Sequence, residues 1–344
     1  MEKRFLVSRW LGSDTPPIPI YDEASVSTAR QRVRDVGESV GASKNLIESA
    51  ALIASELTHN QLAHARQGYF AVRAIDREGK KGLEVVAADL GPGLQRTLFT
   101  PRDSASPSKT LGAGLEGVFR IADEVDFDSR VDEGVCVVAR KFAAGVAGSW
   151  EIAIAGRPFP GEIISGDDGA FFQSENNLLT IVADGLGHGI EAREASNRAM
   201  DVVARSPQAG LDELAFALNT ELAGTRGCAL STVRLSTSNG DVECLAAGDV
   251  HAHVYSGRDA HFFTSTPFVV GDPQFARRRL RTEHTTIEAG SVLLMFTDGL
   301  QTRTTLKGEL ELLRRPAIAI AQHLLATHAR PNDDAMVLVA RWKK

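Results

Sequence analysis

The stretch VADGLGHGIEA, residues 182–192, decides how the second half of the chain is read. An apolar run, Thr180 to Ala183, stops at Asp184, and Gly185, Gly187, His188 and Gly189 follow. Glycines set this closely suggest a loop wrapped around a phosphate. The carboxylate at its head would repel one, so a positive charge has to come between them. Residues 85–94, VVAADLGPGL, repeat the outline with Asp89, Gly91 and Gly93. The question is whether the two stretches share one chemistry.

Length and composition narrow the answer. At 344 residues the chain is long for one average core, which predicts two domains. A net charge of −6, with no long Lys or Arg run, argues against nucleic acid as a partner. No apolar stretch approaches the roughly 20 residues of a membrane span, and MEKRFLVSRWLGSDTPP at the N-terminus does not read as a secretory signal. Cys136, Cys228 and Cys244 lack CxxC spacing and read as reduced thiols of a cytoplasmic protein.

Periodicity predicts helices over 23–41 and 44–66, two strands joined by a Gly/Lys turn over 68–91, a polar loop over 95–111, a helix over 114–125 and a strand over 134–142. AAGVAGS (143–149) has no pattern and marks the boundary, giving domains 1–145 and 150–344. Beyond it, strands are expected at 151–155, 179–183, 229–235, 242–247, 252–255, 291–296 and 335–341, with helices at 190–205, 210–224 and 315–328.

In the first half, Glu56 and Asn60 stand four apart on one helix face, with His64 extending the stripe. Such a pair suits water activation and Mg²⁺ binding, or is simply a solvated face. Asp89, at a strand end, can accept a hydrogen bond from a base amino group, and Gly91 and Gly93 let a ligand approach the backbone. Gly112, Gly114 and Gly117 open a helix, whose N-terminal N–H groups favour phosphate. GxGxxG alone suggests a dinucleotide fold, but the segment before it holds Pro101 and Pro107 and is no strand.

The order of these pieces resembles the GHKL ATPase family: ELTHN its N-box, DLGPG its first glycine box, LGAGLEG its second. Within it, residues 20–142 look like the RsbT-type switch kinases, relatives of the anti-sigma-factor serine kinases. The resemblance implies that Asn60 holds Mg²⁺, Asp89 contacts the adenine of ATP, 95–111 forms a lid in which Lys109 contacts phosphate, and Glu56 is the base or polariser for the attacking hydroxyl. It also implies a Bergerat-type α/β sandwich.

In the second half, acidic residues end apolar runs repeatedly: Asp167 in IISGDDGAFF, Asp184, Asp298 in LLMFTDGL, and Asp333 and Asp334 in RPNDDAMVLVARW. Carboxylates at strand ends can converge on one sheet edge, and a cation relieves their repulsion. Oxygen-only ligands point to Mg²⁺ or Mn²⁺, and paired ions can activate a water for in-line attack on a phosphate ester.

In order and rough spacing these motifs resemble the protein phosphatase 2C class, its SpoIIE branch and the small RsbX-type phosphatases, over about 150–344. That implies an α/β/β/α sandwich with Asp184 bridging two Mn²⁺ or Mg²⁺ ions, the Gly185 carbonyl as a further ligand, and Asp167, Asp298 and Asp333 each giving an oxygen, with Asp334 as the alternative to Asp333. Met336 stands where the family often has Thr. No arginine is identified for gripping the phosphate. His188 is a candidate general acid, or a polar residue opening a helix.

Together the halves are expected to form a two-domain α/β (α+β) regulator. One half would phosphorylate Ser/Thr on a STAS-domain antagonist with Mg-ATP, and the other would remove that phosphate, in bacterial partner-switching or stressosome-like stress signalling. The alternatives are a phosphatase with a non-catalytic ATP- and partner-binding module, or an ATPase with a metal-stabilised scaffold. Oligomeric state is left open.

Overall fold

The computed structural model describes residues 16–65, 67–77, 79–94, 111–144, 150–174, 176–273 and 281–343. Lys109 and positions 95–110 of the expected lid lie outside them, as do residues 1–15 and 145–149. The chain divides into two compact units, Met1–Ile152 and Ala153–Lys344.

In the first unit, α1 (Glu23–Ser39) starts at a capping box: Asp22 Oδ1 accepts the Ser25 N–H at 2.8 Å and Ser25 Oγ accepts the Asp22 N–H at 3.1 Å. Helix α2 (Lys44–His64), capped by Ser43, buries Leu46, Ile47, Ala50, Ala54, Leu57 and Gln61. At its C-terminal end, Gln61 Nε2 donates to the carbonyls of Tyr69 and Ala88, each at 3.0 Å. This fixes α2 on the hairpin of β2 (Gly68–Arg77) and β3 (Lys80–Asp89). With β1 (Ile18–Ile20), β4 (Glu124–Arg130) and β5 (Gly134–Phe142), the antiparallel order is β1-β2-β3-β5-β4.

One expectation is corrected here. The helix expected over 114–125 is α3, Leu111–Ile121, and the chain then enters β4. Glu124, Asp126, Asp128 and Arg130 alternate with Val125 and Phe127, a period of two. The acidic set is fully buried because arginines meet it. Arg140 reaches Glu84 at 2.6 Å, Asp126 at 2.5 Å and Glu124 at 3.3 Å. Arg77 pairs with Glu124, and Arg130 with Asp128 at 2.9 Å.

The second unit begins within β6 (Trp150–Arg157) and layers two sheets between helices. One holds β7 (Asp167–Gln173), β8 (Asn177–Gly185), β9 (Cys228–Ser236), β10 (Asp241–Ala247) and β13 (Glu283–Thr286), in the order β13-β10-β9-β8-β7. The other runs β6-β15-β14-β11-β12, with β11 (His251–Ser256), β12 (Asp259–Phe262), β14 (Val292–Phe296) and β15 (Ala335–Trp342). Helices α4 (Ile190–Arg205) and α5 (Leu211–Leu222) pack on the first sheet, and α7 (Ala317–His328), which follows the short α6 (Leu310–Leu313), packs on β15. Between α4, α5 and the first sheet lies a core of Leu179, Ile181, Ala195, Met200, Leu214 and Leu230 among others.

Sequence reading assigns no strands to β7, β12 or β13. DDGAFF opens on residues poor in β-propensity, and β7 exists because it pairs residue for residue with β8. Among the described residues, no helix is long and apolar enough to cross a membrane.

Candidate functional site

In the first unit, α2 and the ends of β3 and β5 border a narrow pocket. Asn60, Gln61, His64, Asp89, Gly93 and Leu115 line it, with apolar walls from Leu57, Ala87, Val135 and Val137. Asp89 is held in place by two backbone donors to Oδ1, from Gly91 at 2.8 Å and Val135 at 3.3 Å. Burial raises its pKa to about 6 in spite of them. Asn60 Nδ2 is buried without a hydrogen-bond partner among the described residues, and so is Gln61 Oε1. Unpaired polar atoms in a pocket wall are costly unless a ligand meets them.

Gly93 has φ +74, and a Cβ there would come within 2.5 Å of the Arg130 carbonyl. Gly112, Gly114 and Gly117 lie in the first two turns of α3, and a Cβ on Gly117 would meet nothing within 4 Å. Glu56 is half-buried one turn before Asn60, but it is not part of the pocket wall.

In the second unit the strands bring the acidic residues together. Asp167 and Asp184 are directly opposite across β7 and β8, on one face. Asp298 follows β14, and its carboxyl is within hydrogen-bond reach of Asp184. Two carboxyls approach so closely only with a proton or a cation between them. Burial, then the charges of Asp167, Asp298 and Asp333, drives Asp184 far above the ordinary carboxylate range. Asp167 is driven up mainly by burial and also by Asp334, Asp298 and Asp333, although the Thr297 hydroxyl donates to its Oδ2 at 2.7 Å. Asp333 is raised as well, by burial first and then by Asp298 and Asp334, with Arg330 opposing.

A set of oxygen donors, crowded and uncompensated, suits hard divalent cations. Among the described residues, no three or more His, Cys, Asp or Glu side chains stand in an arrangement that could hold a metal ion as they are placed.

Asp333 and Asp334 differ in what they touch. Asp334 accepts the Phe159 N–H on Oδ1 at 2.6 Å and the Gly166 N–H on Oδ2 at 3.0 Å, so both oxygens are used to hold the 159–166 loop. Glycines in the motifs serve packing. A Cβ on Gly185 would lie 2.0 Å from the Ala192 carbonyl, while Gly187 (φ +88) and Gly189 (φ +76) make the turn into α4. His188, exposed beside this turn, stacks on Phe159 with centroids 4.6 Å apart, and its Nδ1 lies 3.2 Å from Glu162 Oε1.

Thr297, Glu162 and Arg330 lie beside the cluster, but no role is assigned to them from the sequence. Only for Thr297, beside Asp298 in TDG, did the sequence carry a signal, because the contacts of the other two come from distant segments.

A model of the histidine kinase-like ATPase domain matches residues 21–141, and one of stage II sporulation protein E (SpoIIE) matches 174–343. The serine/threonine-protein kinase RsbT of Bacillus subtilis (strain 168) is 33% identical over 132 residues, 38% of this chain and 98% of RsbT. The phosphoserine phosphatase RsbX of the same organism is 27% identical over 142 residues, 41% of this chain and 69% of RsbX.

Among solved structures, a chain described under the bacterial stressosome, a modular system adapted to control secondary messenger signaling, superposes with a TM-score of 0.53. It is 27% identical, and the match covers 56% of this chain and 100% of that one. A crystal structure of RsbX in complex with magnesium, 20% identical, gives a TM-score of 0.51 over 56% of this chain and 96% of that one, and supports the fold. Through its N-terminal half the chain belongs to the RsbT serine/threonine-protein kinase family, and its second half is similar to SpoIIE and RsbX.

Proposed function

We propose that the two halves act in opposite directions on one phosphoprotein, a STAS-domain antagonist of the stressosome type: the N-terminal half phosphorylates its Ser or Thr with Mg-ATP, and the C-terminal half removes the phosphate. The observation that carries this reading is the set of mutually repelling carboxylates Asp167, Asp184, Asp298 and Asp333 in a chain that also keeps a pocket lined by Asn60 and Asp89. The likeness to RsbT and RsbX supports it.

In the pocket, Asp89 would accept the adenine amino group, Asn60 would hold Mg²⁺ through its amide oxygen, and the start of α3, Gly112 to Gly117, would meet the phosphates. Glu56 polarises the attacking hydroxyl. In the cluster, Asp184, Asp167, Asp298, Asp333 and the Gly185 carbonyl would hold Mn²⁺ or Mg²⁺. When bound, these ions supply charge neutralisation and water activation. Thr297 donates to Asp167 Oδ2 and so would fix the orientation in which this carboxylate meets the cation. Asp334 fixes the loop that carries Glu162. Glu162 orients His188 through Nδ1, leaving Nε2 to protonate the departing serine Oγ.

A second reading is favoured by one observation, that Glu56 lies off the pocket wall: the N-terminal half binds ATP and the partner without phosphotransfer. Purified full chain with a STAS-domain protein and Mg-ATP separates the readings. Phosphate on the partner should vanish with Asn60→Ala and accumulate with Asp184→Asn. Equal labelling by the unsubstituted chain and Asn60→Ala overturns the kinase assignment, and unchanged phosphoserine turnover in Asp184→Asn overturns the phosphatase one.

A further inference from the structure

A phosphate monoester carries nearly two negative charges at neutral pH, and the carboxylate cluster it must approach is itself acidic. The cations near the cluster differ in what they are already doing. Arg193 is buried, and its Nη1 donates to the Asp167 carbonyl at 3.0 Å. Arg226 is paired with Glu191, and Arg157 donates to the Arg330 carbonyl.

Arg330 itself is exposed. Its main-chain N–H donates to the carbonyl of Gly299, the residue after Asp298, at 2.7 Å, and it stands three residues before Asp333. The backbone is therefore fixed between the segments that deliver two of the aspartates. Among the described residues its guanidinium makes one long, neutral contact, Nη2 to Thr302 Oγ1 at 3.4 Å, and pairs with no carboxylate. Its field nevertheless reaches both sides of the site, opposing the rise in Asp333 and adding to the fall that burial imposes on His251.

We propose that Arg330 grips the phosphoryl oxygens of the substrate at the rim of the carboxylate cluster. The guanidinium fork matches two phosphate oxygens at once, and nothing it now holds has to be broken except the Thr302 contact. The proposal rests on the phosphatase reading of the cluster.

The same placement makes a prediction of opposite signs. Arg330 attracts phosphate but repels a divalent cation arriving at Asp333. Removing it should weaken the anion and leave the cation equally or more tightly bound. A merely structural arginine would, on removal, weaken both.

The experiment uses the full chain with Mn²⁺ and p-nitrophenyl phosphate, inorganic phosphate as product inhibitor, and calorimetric Mn²⁺ titration. Arg330→Ala should raise KM and the inhibition constant of phosphate about tenfold or more, as loss of a charge-assisted bond implies, with Mn²⁺ affinity unchanged or increased. Arg330→Lys should recover part of the phosphate inhibition. Phosphate inhibition in Arg330→Ala within about twofold of the unsubstituted chain overturns the proposal, and so does a parallel loss of Mn²⁺ affinity. Absence of Mn²⁺-dependent turnover in the unsubstituted chain overturns the phosphatase reading, and the proposal with it.

Discussion

The chain buries two acidic clusters, and they are built in opposite ways. In the first unit a row runs across three strands and onto a fourth, Arg73 opposite Glu84, Glu84 opposite Arg140, Arg140 opposite Glu124. Burial would push Glu84 up, but Arg140 and Arg73 bring it below its ordinary value, and its carboxylates drive Arg140 further up. Asp126 is raised to about 6, because its burial outweighs Arg140. In the second unit Asp167 and Asp184 are pushed far up by burial and then by neighbouring carboxylates, with the Thr297 hydroxyl opposing at Asp167. Acidic residues at strand positions are common to both clusters. On the function proposed above, what separates scaffold from site is whether the protein supplies the counter-charge or leaves it to a ligand.

The contrast can be broken first at Asp184. Asp184→Asn should drop metal-dependent phosphatase turnover to its metal-free background, and it should raise the metal-free melting temperature by a few degrees, since one repelling charge is gone. A fall in both would mean that Asp184 is a packing residue. Arg140→Met should do the reverse in the first unit. Losing Arg140 leaves Asp126 without its arginine, while Glu84 keeps Arg73 and Glu124 keeps Arg77; the cost is about 3–5 kcal/mol, read by urea denaturation, and added Mn²⁺ should not restore it.

Thr297 sharpens the comparison more finely. Thr297→Val should weaken Mn²⁺ binding about 10–100-fold, the usual effect of losing a residue that orients a ligand, while Thr297→Ser keeps it. Calorimetry with both variants is the check. The smallest effect concerns Asp89. Its carboxyl is raised to about 6 in the folded chain, and the carboxylate is the form that accepts strongly from an adenine amine. ATP affinity should therefore be flat above neutrality and decline as pH falls through about 6. Asp89→Asn should remove that dependence along with most of the affinity.

Much of this was legible in the sequence, for a physical reason. Helices α1 and α2 and the β2–β3 hairpin follow from local periodicity and capping, and Asp89, Asp184 and Asp298 are conspicuous because each ends an apolar run. Long-range placement was hidden. EVDFDSR looks like a solvated stretch until arginines from β2 and β5 are set beside it. That Asp167 faces Asp184 is a matter of strand register. The division of labour between Asp333 and Asp334 depends on the Phe159 and Gly166 N–H groups, some 170 residues away. Glu162 and Arg330 are ordinary surface residues in the sequence and acquire meaning only from their neighbours.

The central claim is that the uncompensated cluster is a cation site and the compensated one is not. Calorimetric titration of Mn²⁺ into the full chain, nucleotide-free, tests it most directly. The account predicts saturable binding that Asp184→Asn abolishes and Asp126→Asn leaves intact. Equal binding by the unsubstituted chain and Asp184→Asn, or loss of binding in Asp126→Asn alone, would contradict it.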